Sequence, residues 1–244
     1  MIPAHTSIKR SDVNRLIGEA MELMRGSNYP VPSWFYWTKE DWDKAGKEYA
    51  EIPAAIMGWD ITDFGSGDFW NEGLLCFNIS NGSKTDERYP KVFSIRICFM
   101  IPGQISPPHW HKSKMEELIN YTDKTFGSHV WYANQNGQRD RYNDVEVEVS
   151  GRRYKVKPGG FVELKPHESY TMYPGIIHGP DESWTPANVP EDQRHICGFI
   201  IEIGSKIDDL NDNLYLDEQH RWAVNIIDDE APKYYLVHEY PALK

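Results

Sequence analysis

Two histidines two residues apart, His109 and His111, lie in Pro107-Pro108-His109-Trp110-His111. In an extended segment alternate side chains share a face, so both imidazoles point the same way. A carboxylate follows shortly, at Glu116 or Glu117, and Tyr173-Pro174-Gly175-Ile176-Ile177-His178 offers another histidine just after a turn. Three imidazoles and one carboxylate make a ligand set for a divalent metal. Imidazole suits Zn, Fe, Ni and Mn-type ions, and the carboxylate leans the set towards the harder ones. The plain alternative is a surface strand decorated by two histidines; the downstream glutamate and the distant Pro-Gly-x-x-His weigh against it. His129, His167 and His195 are rival ligands. His167 sits in a turn-like Lys165-Pro166-His167-Glu168 and His195 opens a strand, so each reads as a surface or structural histidine.

A second carboxylate stands out for its surroundings. Glu202 lies in Phe199-Ile200-Ile201-Glu202-Ile203, where a charge is costly unless it is paired or functional. Alternation leaves two options open: an outward glutamate between inward isoleucines, or an inward one.

The elements that must hold these groups are mostly strands. Leu74–Ile79, Lys91–Ile101, the His-x-His segment, Phe161–Leu164, Tyr170–Tyr173 and His195–Ile203 read as strands, and Asn81-Gly82 as a turn. Val145–Val149 alternates cleanly, turns at Ser150-Gly151 and returns through Arg152–Val156, the pattern of a hairpin with one wet face. Many short strands between turns predict a barrel or jelly roll. Two helices precede them. Residues 11–25 repeat Val13, Leu16, Ile17, Ala20 and Met24 at helical spacing, with Ser11 as the expected cap. A second helix is expected from Thr38, its cap, to about Lys47. Both read as covers packed on the barrel.

At 244 residues the chain can be one sizeable β domain, and no repeat or linker marks a second. The expected division is an N-terminal cover over 1–57, a barrel over 58–204 and a C-terminal extension over 205–244 packing on it. Cys76, Cys98 and Cys197 are odd in number and widely spaced, which argues for reduced thiols in a cytoplasmic protein. No secretion signal or membrane-length apolar run is present. A net charge of −11 without a basic stripe argues against nucleic-acid binding. No Walker-type loop or Gly-x-Gly-x-x-Gly points to a nucleotide.

His-x-His, four residues, then Glu, with a later Gly-x-x-His, resembles the paired metal motifs of the cupin barrels. The fuller wording is similar to the D-lyxose isomerase family: Gly58-Trp59-Asp60-Ile61-Thr62-Asp63-Phe64-Gly65, Glu116-Glu117-Leu118-Ile119-Asn120, Asp208-Asp209-Leu210-Asn211-Asp212-Asn213 and His238-Glu239-Tyr240-Pro241. This resemblance runs from about Ile8 to the C-terminus. It implies a mainly β cupin fold (a double-stranded β-helix) with N-terminal covering helices. Alternation from His109 and His111 favours Glu117 as the metal carboxylate, whereas the family pattern selects Glu116. Glu116 requires Lys112-Ser113-Lys114 to be a turn or bulge that resets the alternation.

The implied metal ligands are therefore His109, His111, Glu116 and His178. The implied cofactor is a divalent cation, Mn2+ first among Mn2+, Co2+, Ni2+, Fe2+ and Zn2+. The resemblance places a general base at Glu202 and a family lysine at Lys114. Arg96 falls where relatives carry a lysine, and Asp212-Asn213 matches the family's Asp-Asn pair, which could close one rim of the sugar pocket or equally cap a turn. The implied reaction is D-lyxose to D-xylulose, with D-mannose to D-fructose sharing the C1–C2 stereochemistry, in a homodimer. No tight basic cluster marks a sugar phosphate, which favours a free sugar. A cupin Fe(II) dioxygenase and a non-catalytic sugar-binding cupin are the competing readings.

Overall fold

A computed structural model describes residues 8–244. In chain order the strands begin with β1 (Ile8–Lys9), β2 (Gly58–Thr62), β3 (Leu74–Ser80), β4 (Phe93–Met100), β5 (His109–His111), β6 (Glu116–Asn120) and β7 (Phe126–Tyr132). They continue with β8 (Val145–Val149), β9 (Arg152–Val156), β10 (Gly160–Leu164), β11 (Ser169–Met172), β12 (Ile176–Gly179), β13 (Gly198–Ser205), β14 (Asn213–Tyr215) and β15 (Ile226–Ile227). Eight of them form a sheet in the order β2-β3-β4-β13-β6-β11-β8-β9. Five more, β10-β7-β12-β5-β14, form a second sheet. Both are antiparallel, and residues of both line one cavity, so the two sheets face each other as the walls of the expected β barrel. Among the described residues no helix is long and apolar enough to cross a membrane.

Over β2, β3, β4 and β13 the larger sheet is buried on both faces, and residue parity sorts them. Trp59, Ile61, Leu75, Phe77, Ile97, Phe99, Phe199 and Ile201, all odd, pack in one apolar cluster beneath helix α1 (Arg10–Gly26). Arg96, Cys98, Glu116, Leu118, Tyr170, Ile200 and Glu202, all even, line the cavity. A period of two with apolar partners on both sides explains why β4 and β13 read as almost unbroken apolar runs. The expected apolar stripe of α1 is the one buried, with Met21 added. Its cap differs from expectation. Ser11 lies inside the helix, and Lys9 at the N-cap makes no side-chain cap bond. The Asp229 carboxylate instead accepts from Ser11 N at 2.9 Å and Ser11 Oγ at 2.7 Å, so the far end of the chain caps the helix.

Other expectations shift. The second helix, α2 (Lys39–Trp42), has the Thr38 cap as a full capping box with Asp41 but stops well short of Lys47. Gly46 is extended, and Lys47 N donates to Lys244 O at 3.1 Å, which draws the chain aside so that Trp42 and Ala45 can pack on Ile52 and Ala55. The strand expected from His195 begins at Gly198, because Ile196 N is tied at 3.0 Å to Glu19 on α1 instead of to the ladder. The C-terminal segment does more than pack outside the barrel: β14 pairs with β5 and completes the smaller sheet.

Gly58 shows how closely that segment is fitted. Its φ is +113°, a conformation side chains rarely adopt, and a Cβ there would lie 1.9 Å from the Tyr240 hydroxyl. That hydroxyl donates to Met57 O at 3.0 Å. Gly58→Ala is expected to cost about 1–3 kcal/mol from backbone strain alone, with the collision adding to it. Urea unfolding measures this. Combined with Tyr240→Phe the losses should sum to less than additive; additive losses would mean that the two residues do not meet.

Candidate functional site

β5 and β12 are neighbours in the five-stranded sheet, and His178 stands opposite His109 in register. With His111 on the same face as His109, the three rings offer nitrogen atoms all within 4.8 Å of one another. His109 Nε2 and His178 Nε2 are 3.1 Å apart. Each ring is oriented from behind by a backbone carbonyl. His109 Nδ1 lies 2.8 Å from Pro107 O, His111 Nδ1 3.2 Å from Asp212 O, and His178 Nδ1 3.2 Å from Ile176 O. A carbonyl can only accept, so each Nδ1 carries a proton and each Nε2 is turned to the common centre.

Glu116 arrives from the facing sheet, its Oε1 3.4 Å from His111 Nε2 and 3.6 Å from His178 Nε2. Residues 112–115 carry the chain from one sheet to the other, so the alternation of β5 does not extend into β6. Asp212 fixes that crossing. Its Oδ1 accepts from Ser113 N at 3.0 Å and Ser113 Oγ at 2.9 Å, and its Oδ2 from Lys114 N at 2.8 Å. Glu117 points the other way and accepts a hydrogen bond from the Thr171 hydroxyl.

Burial pushes the His109 pKa well below its ordinary value, helped by the neighbouring His178 and His111. Burial likewise lowers His178, to about 4, against the pull of Glu116. Both rings are therefore neutral near pH 7. For Glu116 burial favours the neutral form, but Lys114 and His111 outweigh it and hold the carboxyl well below the usual range. His111 Nε2 is buried with no hydrogen-bond partner. Lone pairs from neutral imidazoles, one carboxylate and an orphaned ring nitrogen fit a divalent cation.

These groups open on a cavity of about 500 Å³ between the sheets, within the size range of small-molecule sites. Across the larger sheet, Asn78, Arg96, Glu202, Leu118 and Tyr170 stand side by side in register. The inward option for Glu202 is the observed one. Glu202 and Lys114 are 8% and 5% exposed. Glu202 Oε1 accepts from Lys114 Nζ at 2.6 Å, and its Oε2 is 3.9 Å from Cys98 Sγ. Lys114 also pairs with Glu116, so one ammonium bridges two carboxylates. Burial alone would lower the Lys114 pKa, but Glu116 and Glu202 reverse that and keep it charged.

Arg96 also lines the cavity. Its Nε donates to Asn78 Oδ1 at 2.8 Å, and its Nη2 to Asp209 Oδ2 at 2.7 Å. Asn213 lines it too and donates to Asp209 at 3.2 Å. Asp212 does not; its carboxylate serves the crossing at 113–114. Of the rival histidines, His167 and His195 are exposed, while His129 lies on the cavity wall 3.7 Å from Asp181, outside the imidazole cluster. Sequence reasoning missed Asp209 and Trp222 as cavity residues and Asn78 as a partner of Arg96. Asp209 was visible within the Asp208–Asn213 run, but its role follows from the pairing of β14, which no local pattern announces.

A family model described as D-lyxose isomerase matches residues 8–240. The chain is 28% identical over 226 residues to the D-lyxose/D-mannose isomerase of Escherichia coli O157:H7, covering 92% of this chain and 94% of that protein. It is 27% identical over 236 residues to the protein of that name from Serratia proteamaculans, covering 96% and 98%. Among solved structures, the ligand-free L-ribose isomerase of Cellulomonas parahominis superposes with a TM-score of 0.56 at 14% identity, over 91% of this chain and 100% of that one. The L-ribose isomerase of Acinetobacter sp. DL28 in complex with L-ribose gives 0.54 at 16%, over 91% and 99%. These likenesses establish the shared cupin fold, and the family match across nearly the whole chain establishes descent: the chain belongs to the D-lyxose isomerase family.

Proposed function

We propose that the protein is a metal-dependent aldose–ketose isomerase that interconverts D-lyxose and D-xylulose, and D-mannose and D-fructose, through an enediol(ate) of the sugar. The observation that carries this reading is the meeting, in one cavity, of three imidazoles and a carboxylate whose geometry suits a cation with a separate carboxylate, Glu202, linked through Lys114. The family membership and the names of the two relatives support the same chemistry. His109, His111, His178 and Glu116 would hold the cation, Mn2+ first among the divalent ions that suit this set. When bound, the cation supplies Lewis acidity at the C1 carbonyl and the C2 hydroxyl.

The chain's own residues do the rest. Glu202 takes the proton from C2 and returns it to C1. The Lys114 ammonium, 2.6 Å away, holds its carboxyl in place inside the cavity. Lys114, freed of part of its pairing once Glu202 is protonated, turns its charge to the oxygen on which negative charge develops. Arg96, anchored by Asn78 and Asp209, and Asn213 beside it offer donors to the sugar hydroxyls. Leu118, Phe126, Met172 and Ile200 keep bulk water from the reacting carbons.

The direct test is to chelate the protein, restore Mn2+ and measure D-xylulose formed from D-lyxose. Activity should vanish on chelation and return with the ion. An unchanged rate after complete chelation would refute the metal role. His178→Ala and Glu116→Ala should bind less than one ion per chain under conditions that saturate the parent, as measured by elemental analysis.

Glu202→Gln keeps shape and hydrogen bonding but cannot accept the proton, so kcat should fall by about 10²–10⁴-fold. Metal content and sugar affinity should change far less. Solvent deuterium should enter the carbon that receives the proton wherever the carboxyl exchanges with water. A fully active Glu202→Gln protein would remove this residue from the mechanism.

A further inference from the structure

Asp60 lies in the Gly58–Gly65 run, and the chemistry above makes no use of it. It stands opposite Cys76, which stands opposite Cys98, so it shares the inward face of the larger sheet. Yet it is 5% exposed and is not among the residues that line the cavity. Its Oδ1 accepts from Ile61 N at 2.9 Å, and the Trp222 side chain hydrogen-bonds its carboxyl. Trp222 does line the cavity. The Arg96 guanidinium lies 4.9 Å from the centroid of the Trp222 ring, and Phe64 meets that ring edge-on at 5.8 Å. Arg96 in turn stands opposite Glu202 in register. A line of contacts thus runs from Asp60 through Trp222 and Arg96 to the row that holds the base.

Trp222 needs such an anchor. Residues 216–223 form no helix or strand. The backbone is tied to the barrel by Arg221 N to Phe64 O at 2.9 Å and by Thr62 Oγ1 to Ala223 O at 2.8 Å. Those bonds hold the main chain and leave the indole to be fixed by its own side-chain contacts. Resting on the isomerase reading of the cavity, we propose that Asp60 is a positioning residue for that reaction: by holding the Trp222 indole against Arg96 it sets the cavity wall and the guanidinium beside the base, without touching the sugar. Burial pushes the Asp60 carboxyl up to about 7, opposed by Arg96 and reinforced by Asp209. The neutral form is thus readily populated, and asparagine is a close stand-in for it.

The experiment uses the metal-loaded full-length protein and reads kcat and KM for D-lyxose, together with binding of the pentitol D-arabinitol, which cannot isomerise, by tryptophan fluorescence. Asp60→Ala should raise KM and the pentitol dissociation constant about tenfold, the order expected for a lost hydrogen bond in a closed site. Asp60→Asn should stay within about threefold of the parent. Trp222→Phe keeps a ring but cannot donate to Asp60, and should show the Asp60→Ala rise. Asp60→Ala/Trp222→Phe should be no worse than the weaker of the two, since both cut one link. A merely structural Asp60 would lower the thermal midpoint while leaving KM in place and giving additive losses, and that result overturns the proposal. So does Trp222→Phe with the parent KM, which remains decisive if Asp60→Ala does not fold. A parent protein that converts no aldose overturns the isomerase reading and the proposal with it. An active parent with unmoved variants overturns the role of Asp60 alone.

Discussion

The constraint on which the site depends is the burial of two carboxylates, Glu116 and Glu202, around one ammonium. Each carboxylate taken alone into this interior would cost on the order of several kcal/mol, and each would repel the other. Lys114, itself buried, is placed between them and pairs with both. Removing one member of such a group leaves an uncompensated charge, which typically costs about 3–5 kcal/mol. The arrangement is therefore all or nothing, and it demands that Lys114 sit at one place in the cavity. Asp212 meets that demand by taking Lys114 N and both donors of Ser113 on one carboxylate. A residue that touches no ligand-binding surface thus sets the geometry of one that touches two functional groups.

The larger sheet imposes the second constraint. Its outer face must be covered because Phe77, Phe99, Phe199 and Ile201 point that way, and α1 supplies the cover with Leu16, Ile17 and Ala20. Phe35 fills the space beside it, its ring in contact with Trp59, Phe77 and Phe99. With one face sealed by apolar packing, polar residues on the other face can look only into the cavity. Arg96, Glu202 and Glu116 are held inward for this reason. The covering helix contributes no chemistry, yet its docking makes the parity of the strands meaningful.

The strands, the hairpin at 150–151 and the imidazole cluster were legible because each has a local cause: a period of two, a Ser-Gly turn with both residues at positive φ, and two histidines on one face. The choice between Glu116 and Glu117 was not legible from alternation, which favoured Glu117, whereas Glu116 is the one that faces the imidazoles. The chain changes sheets between His111 and Glu116, and that crossing is held by Asp212, 98 positions from Lys114. The direction of Glu202 was undecidable for a related reason. Periodicity shows that neighbours face opposite ways, but it cannot say which way is inward when both sides are buried. Ser11 and the second helix failed in the same manner, since Asp229 and Lys244 decided them from the far end of the chain.

That far end is the part of the molecule that local patterns describe least and that the site needs most. Residues beyond β13 provide the clamp at Asp212, the arginine partner at Asp209, the cavity wall at Asn213 and Trp222, and the strand β14 that flanks β5. Further on, Asp228 and Glu239 together neutralise the buried Arg10 at the start of α1, at 2.9 and 2.6 Å. One segment therefore pins both the helix that seals the outer face and the groups that shape the inner one. Loosening it would disturb the two faces of the larger sheet together. The site is a property of the closed barrel, and the histidine motif supplies only the part of it that a strand can carry by itself.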